Sequence, residues 1–207
     1  MHSYGPAYRI VTPRLVVRCF SPTDAPLVQR SIDASLTELR RFLPWTHGEP
    51  ESVEAKVVRL RHLRGKFDIG EDFAYGIFDP DERECIGGGG LHTRLGPTIR
   101  EIGYWIATAQ TKKGYATEAA GALMNVAFRV DGVARVEIRC EPDNVASAAV
   151  AKKLGMTFEG TRRADTVRPD GSVRDTLVFS AIKAELDSLP ARNLSVQAWD
   201  AVGERLI

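Results

Sequence analysis

Lys112-Lys113-Gly114-Tyr115-Ala116-Thr117 is the stretch whose surroundings decide how this 207-residue chain folds. Before it, residues 102–107 read as a strand that passes through 108–111 into the run. After it, Ala116, Ala119, Ala120, Leu123, Ala127 and Val130 fall on one stripe of a helix predicted over 115–130, which Asp131-Gly132 ends. The first N–H groups of such a helix lack internal partners and stand at the positive end of its dipole, so they bind phosphate readily. Gly114 lets a ligand approach the backbone closely, and Lys112 and Lys113 add local positive charge. The alternative for the same residues is a tight turn beside two solvated lysines. Neither nucleotide-binding rival fits. No Lys-Ser or Lys-Thr follows at P-loop spacing, and Gly87-Gly88-Gly89-Gly90 lacks the dinucleotide fingerprint with its downstream acid. That glycine run instead predicts a strand interior that is bulged or closely approached.

Working outward, residues 15–20 read as a strand and Ser21-Pro22-Thr23-Asp24 as a helix start. Helical spacing continues to Leu43, where Pro44-Trp45 interrupts, and a second helix is predicted over 51–64. Strands follow over 73–78, 85–93 and 98–107, separated by Asp79-Pro80-Asp81 and Leu95-Gly96-Pro97. Val136, Ile138 and Cys140 alternate with Glu137, Arg139 and Glu141 as in a half-buried strand. Pro142-Asp143-Asn144 opens a short helix ending at Gly155, and two last strands, over 157–163 and 172–182, are joined by Pro169-Asp170-Gly171. The result is one mixed α/β domain over residues 1–183 and a tail over 184–207. In the tail, Val196, Trp199 and Leu206 are expected to share a face of a short helix, packed on the domain or on a dimer partner.

The formal net charge of +1 offers no field for gripping a polyanion, so nucleic acid is not expected as a partner. Cys19, Cys85 and Cys140 are scattered, as are His2, His47, His62 and His92; neither set has disulfide or zinc spacing, no metal is expected, and a reducing cytoplasm fits. Residues 1–8 carry no signal-peptide pattern, and no run approaches the roughly 18 apolar residues of a membrane span.

An ordered series of motifs narrows the function. Glu101-Ile102-Gly103-Tyr104-Trp105-Ile106, then Lys113-Gly114-Tyr115-Ala116-Thr117-Glu118-Ala119, then Asn144-Val145-Ala146-Ser147, Lys152-Lys153-Leu154-Gly155-Met156 and Glu159-Gly160-Thr161 resemble the GCN5-related N-acetyltransferase (GNAT) superfamily. The run looks most similar to the RimJ/RimL-type branch that acetylates ribosomal-protein N-termini. The resemblance covers about residues 15–182 and is densest over 100–163. It implies a mixed, mostly antiparallel central sheet with two splayed strands, flanked by helices. It implies acetyl-CoA as co-substrate, with backbone hydrogen bonds from Trp105 and Ile106 to pantetheine and a pyrophosphate cradle from Lys112, Lys113, Gly114, Tyr115, Ala116 and Thr117. Asn144 would bond the pantetheine arm and Ser147 would lie near the sulfur. On the residues alone, Asn144 is equally a helix N-cap and Ser147 a small packing residue.

Three positions depart from the family pattern: Thr111 for Gln or Arg, Met156 for Phe, and Ala151 where many members carry the tyrosine that protonates the thiolate. With that acid missing, Ser147 or water is left. Glu101 is the first candidate base, with a solvated or salt-bridged strand glutamate as the alternative, and Asp165, at the end of the following strand, is the second. Phe42 and Trp45 are candidates to line the acceptor pocket, or to be core. Direct attack by an amine needs a neutral nucleophile and a stabilised oxyanion. An α-amine with a pKa near 7.7–8.0 meets the first need more easily than a lysine near 10.4. Candidate acceptors are a protein N-terminus, an amino-sugar antibiotic, an amino acid or a polyamine. A non-catalytic acyl-CoA-binding regulator is the alternative of another class.

Overall fold

A computed structural model of the chain describes residues 5–168 and 171–207. Residues 1–4 of the N-terminal segment, and 169 and 170 of the expected turn, lie outside the described residues; Gly171 of that turn has φ +82°. The strands are β1 (Arg9–Val11), β2 (Val16–Cys19), β3 (Phe73–Phe78), β4 (Cys85–His92), β5 (Ile99–Ile106), β6 (Arg135–Cys140), β7 (Thr157–Val167), β8 (Val173–Ile182) and β9 (Gln197–Trp199). The helices are α1 (Ala25–Asp33), α2 (Leu36–Leu39), α3 (Val53–Asp68), α4 (Tyr115–Arg129) and α5 (Val145–Lys153). They form one sheet in the order β7-β8-β6-β5-β4-β3-β2-β1-β9. Every neighbouring pair is antiparallel except β5 and β6.

Local chemistry sets the helix ends. Ser21 and Asp24 make a reciprocal capping box at the turn Pro22–Asp24 that leads into α1, and the Ser52 hydroxyl caps α3. The apolar spacing that runs to Leu43 does not make one helix. Ala34 and Ser35 separate α1 from α2, and the Ser35 hydroxyl is used elsewhere, accepting from the Thr108 amide at 2.9 Å. Helix α4 carries the central core: Ala119, Ala120, Leu123, Ala127 and Phe128 are fully buried. Strand β6 is buried on both faces, because Glu137 is covered and paired with Arg135 and Arg139.

The tail corrects one expectation. Val196, Trp199 and Leu206 do not share a helix; residues 197–199 form β9, which extends the sheet beyond β1. The Tyr8 amide donates to the Trp199 carbonyl at 2.8 Å, and Ala198 is fully buried. A three-residue pairing with a distant strand leaves no periodic signal to read. No described helix is long and apolar enough to cross a membrane, and no group of three or more His, Cys, Asp or Glu among the described residues could hold a metal.

Candidate active site

Strands β5 and β6 are paired only at Ile99–Arg135, Arg100–Val136 and Glu101–Glu137. Beyond that, β5 stays on β4 as far as Ile106 and β6 stays on β8 as far as Cys140, so the two part company. The backbone groups left facing the gap follow from the period of two. The Thr98 carbonyl accepts from Ala134 on the β6 side, and the Ala107 amide donates to Ile86 on the β4 side. Ile102, Tyr104 and Ile106 therefore turn their N–H and C=O groups into the gap. Those of Gly103 and Trp105 turn to β4. The open backbone positions are thus Tyr104 and Ile106, which moves the expectation for Trp105 by one residue. A cavity of about 820 Å³ runs through this region, lined by Glu101, Tyr104, Trp105, Cys140, Asn144 and Ser147 among others.

The sheet divides the cavity into two sides. Gly88, Gly90, Gly103 and Trp105 share the face covered by α1 and α3. A Cβ on Gly88 would fall 2.6 Å from the Trp105 indole nitrogen, and one on Gly90 2.6 Å from the His92 ring. Gly89 and Tyr104 point to the other face, toward Leu123 of α4 and Ser147 of α5. The glycine run thus makes room for two rings, while Gly87 answers to a backbone: its Cβ would fall 2.1 Å from the Trp105 carbonyl oxygen.

At the start of α4, Gly114 has φ +87° and offers no side-chain cap. The Glu118 amide is the first to find an intrahelical carbonyl, that of Gly114, so the N–H groups of Tyr115, Ala116 and Thr117 are left open. Lys112 and Lys113 are exposed in the preceding loop. Arg14 closes this corner, an arrangement with no signal in the sequence. Its guanidinium donates to the Lys113 carbonyl at 2.9 Å and to Glu118 at 2.7 Å, and lies 4.9 Å from the Tyr115 ring centroid. Glu118 is buried and also accepts from the Thr12 hydroxyl at 2.6 Å. Its charge is spent on Arg14 and Thr12, leaving the two lysines to set the local potential. Residues 112–117 do not line the cavity itself.

On the α5 side, the Asn144 side-chain oxygen caps the helix by accepting from the Ser147 amide at 3.1 Å; its NH₂ has no partner among the described residues. The Ser147 hydroxyl is 2.9 Å from the Tyr104 hydroxyl. Burial pushes the Tyr104 phenol well above its ordinary value, against the opposing pull of Ser147. Ala151 is fully buried in the core and does not reach the cavity. Cys140 does reach it, which its distance in sequence from the motifs concealed. Burial raises its thiol above the ordinary range, opposed by a hydrogen bond with Ser147.

Across the sheet, Glu101 is buried and held through both carboxylate oxygens by Arg94, at 2.8 and 2.5 Å. Asp165 pairs with Arg162 at 2.8 Å, and Glu141 with Arg168 and Arg174. Phe42 and Trp45 line the cavity, with the Trp45 and Trp105 rings 6.2 Å apart. Buried Lys56 of α3 binds Glu49, which follows the turn Pro44–Gly48, and Glu51 at 3.2 Å, and so ties that turn to α3.

Comparison with known proteins gives the family and supports the fold. The family description "Acetyltransferase (GNAT) domain" matches residues 14–157. The ribosomal protein uS5-alanine N-acetyltransferase of Escherichia coli is 30% identical over 179 residues, covering 82% of this chain and 88% of that one. The N-acetyltransferase YnaD of Bacillus subtilis is 31% identical over 151 residues, covering 73% and 84%. Among solved structures, the RimL ribosomal L7/L12 alpha-N-protein acetyltransferase in complex with coenzyme A superposes with a TM-score of 0.74. It covers 83% of this chain and 96% of that one at 23% identity, a likeness of fold alone.

Proposed function

The chain belongs to the GNAT acetyltransferase family, and on that premise we propose that it moves an acetyl group from acetyl-CoA directly to the α-amine of a protein or peptide N-terminus. The observation that favours this acceptor is the state of the carboxylates lining the cavity. Glu101, Glu141 and Asp165 are each already paired with arginine. Among the described residues, none is left to hold the extra ammonium groups of a polyamine or an amino-sugar antibiotic. Aromatic walls from Phe42, Trp45 and Trp105 suit a short, mostly uncharged peptide end. The uS5-alanine enzyme is a relative whose name states such an acceptor. Three free, buried cysteines suit a reducing cytoplasm.

The residues present fit the co-substrate. The open amides of Tyr115, Ala116 and Thr117, with Gly114, Lys112 and Lys113, would hold the pyrophosphate. Tyr104 and Ile106 would offer backbone groups to the pantetheine arm, Asn144 its free NH₂, and Trp105 a wall. When bound, acetyl-CoA supplies the activated carbonyl. An amide turned into the gap stabilises the charge that develops on its oxygen. Ser147 is assigned as the proton donor to the departing sulfur, with the Tyr104 hydroxyl behind it as the source of that proton. Glu101 could act as base only by giving up a bond to Arg94.

The test is thiol release from acetyl-CoA with a synthetic peptide beginning with alanine, spermidine, kanamycin and free alanine, each product identified by mass. The peptide should be acetylated fastest, on its α-amine. A preference for spermidine or kanamycin would replace this acceptor class with a polycationic one.

A further inference from the structure

On the α1–α3 side of the cleft, His92 ends β4 with its ring over two glycines. A Cβ on Gly103 would fall 2.8 Å from the His92 Nε2, and one on Gly90 2.7 Å from the same atom. Gly103 adjoins Tyr104, whose backbone faces the gap, so Nε2 is held beside the splayed segment. The other ring nitrogen, Nδ1, lies 2.9 and 3.1 Å from the two carboxylate oxygens of Asp72. Asp72 is fixed in turn by the Thr93 amide at 3.3 Å. A carboxylate at Nδ1 selects the tautomer with the proton there, which leaves the Nε2 lone pair free. Nε2 has no partner among the described residues, and the side chain is 23% exposed, in the cavity wall.

We propose that His92, oriented by Asp72, is the general base that takes the proton of the acceptor amine. The inference rests on the acetyl-transfer reading and adds a residue to it. As the amine nitrogen bonds to the thioester carbon and the carbon–sulfur bond breaks, the proton on nitrogen passes to Nε2. Ser147 delivers a different proton to the sulfur from the opposite side of the sheet. His92 then loses its proton to solvent, and Ser147 regains one through Tyr104.

Three features select His92 over Glu101. Both oxygens of Glu101 are occupied by Arg94, whereas Nε2 is free. An imidazole held with its proton on Nδ1 accepts through Nε2 alone, which fixes where the amine's proton goes. Asp72 is an anion suited to steady an imidazolium. Burial alone would raise its carboxyl, yet the bond from His92 and the Thr93 amide hold it below its ordinary value. The basic groups that line the cavity beside His92 are already paired: Arg94 with Glu101, Arg139 of β6 with Glu137, Lys56 and Arg59 of α3 with Glu51, and Arg174 with Glu141.

The experiment measures kcat and acetyl-CoA affinity for the wild type, His92→Gln, His92→Ala and Glu101→Gln. The acceptor is the fastest of the alanine peptide, spermidine, kanamycin and free alanine. His92→Gln should lower kcat by about 10²-fold or more while acetyl-CoA affinity stays within about twofold, since no cofactor contact is assigned to His92. His92→Ala should be equally slow and be partly restored by added imidazole, for which the removed ring leaves space over Gly90 and Gly103. If His92→Gln keeps the wild-type kcat, or if Glu101→Gln alone carries the loss, His92 is not the base. A wild type inert toward all four amines overturns the acetyl-transfer reading itself, and this inference with it.

Discussion

Ser147 and Tyr104 share a hydrogen bond at 2.9 Å in a wall of the cavity, and their environment decides what each can give. A phenol is protonated at neutral pH in any case, and burial raises that of Tyr104 further. Tyr104 thus holds a proton in reserve, and Ser147 is the hydroxyl assigned to reach the sulfur. Ser147→Ala should lower kcat by about 10²-fold, the usual range for a positioned acid. Tyr104→Phe removes one hydrogen bond, worth about 0.5–1.5 kcal/mol, and should cost roughly tenfold or less. If Tyr104→Phe proves as slow as Ser147→Ala, the phenol is the direct donor. Cys140 shares this wall, yet burial raises its thiol, so little thiolate is present to attack a thioester. Cys140→Ala should keep turnover, and mass spectrometry of enzyme quenched during turnover should find no acetylated cysteine. An acetyl-cysteine formed and lost at the rate of turnover would replace direct transfer with a two-step route.

Elements differ in how much of themselves they write into the sequence. Strand β3 is legible over its whole length, because Asp79-Pro80 stops it and its composition is β-branched and aromatic. Helix α4 is legible from its stripe and from Gly114 and Asp131-Gly132 at its ends. Strands β1 and β9 are three residues each, too short for periodicity, and exist through pairing, β1 with both β2 and β9 and β9 with β1. The same division runs through the site. The open amides at the start of α4 are a local property and can be read directly. Arg14 lies 104 positions from the Glu118 it binds, and His92 20 positions from Asp72, so only the fold unites them. The cradle carries its own prediction. Saturation with acetyl-CoA at 100 times Kd stabilises the native state by about 2.7 kcal/mol, which for a chain of this size raises Tm by roughly 5–10 °C. Gly114→Asp puts a carboxylate where the pyrophosphate would lie, with its Cβ 3.3 Å from the Arg14 guanidinium. The variant should fold with a slightly lower Tm, from the side chain at φ +87°, and lose the acetyl-CoA shift. A full shift in folded Gly114→Asp would remove the phosphate site.

At the scale of the whole molecule, the sheet separates chemistry from closure. The gap opens between its third and fourth strands, counted from β7, whereas the C-terminal residues seal the far edge beyond β1. That edge would otherwise present unpaired backbone groups to other chains. The segment 196–207 covers it with β9, fully buried Ala198, and Val196, Leu206 and Ile207 against the main core. Residues 190–194 do a different job. The Asn125 side chain donates to the Ala191 carbonyl at 2.8 Å, and Leu194 packs near Gly121, so this part braces α4 directly. Cutting after Ser195 therefore isolates edge closure from support of the site. Losing the burial of three aliphatic side chains should cost about 3–6 kcal/mol, a fall in Tm on the order of 10 °C. The exposed β1 edge should promote association at high concentration. Turnover per folded molecule at 25 °C should remain within about twofold, because β2, β3 and β4 stand between β1 and the cleft. Melting, light scattering and active-site-normalised kcat on the truncated chain check the three consequences together. A large loss of kcat in chains that remain folded and dispersed would mean that the edge and the cleft are mechanically joined, and that the sheet transmits what happens at β9 to β5.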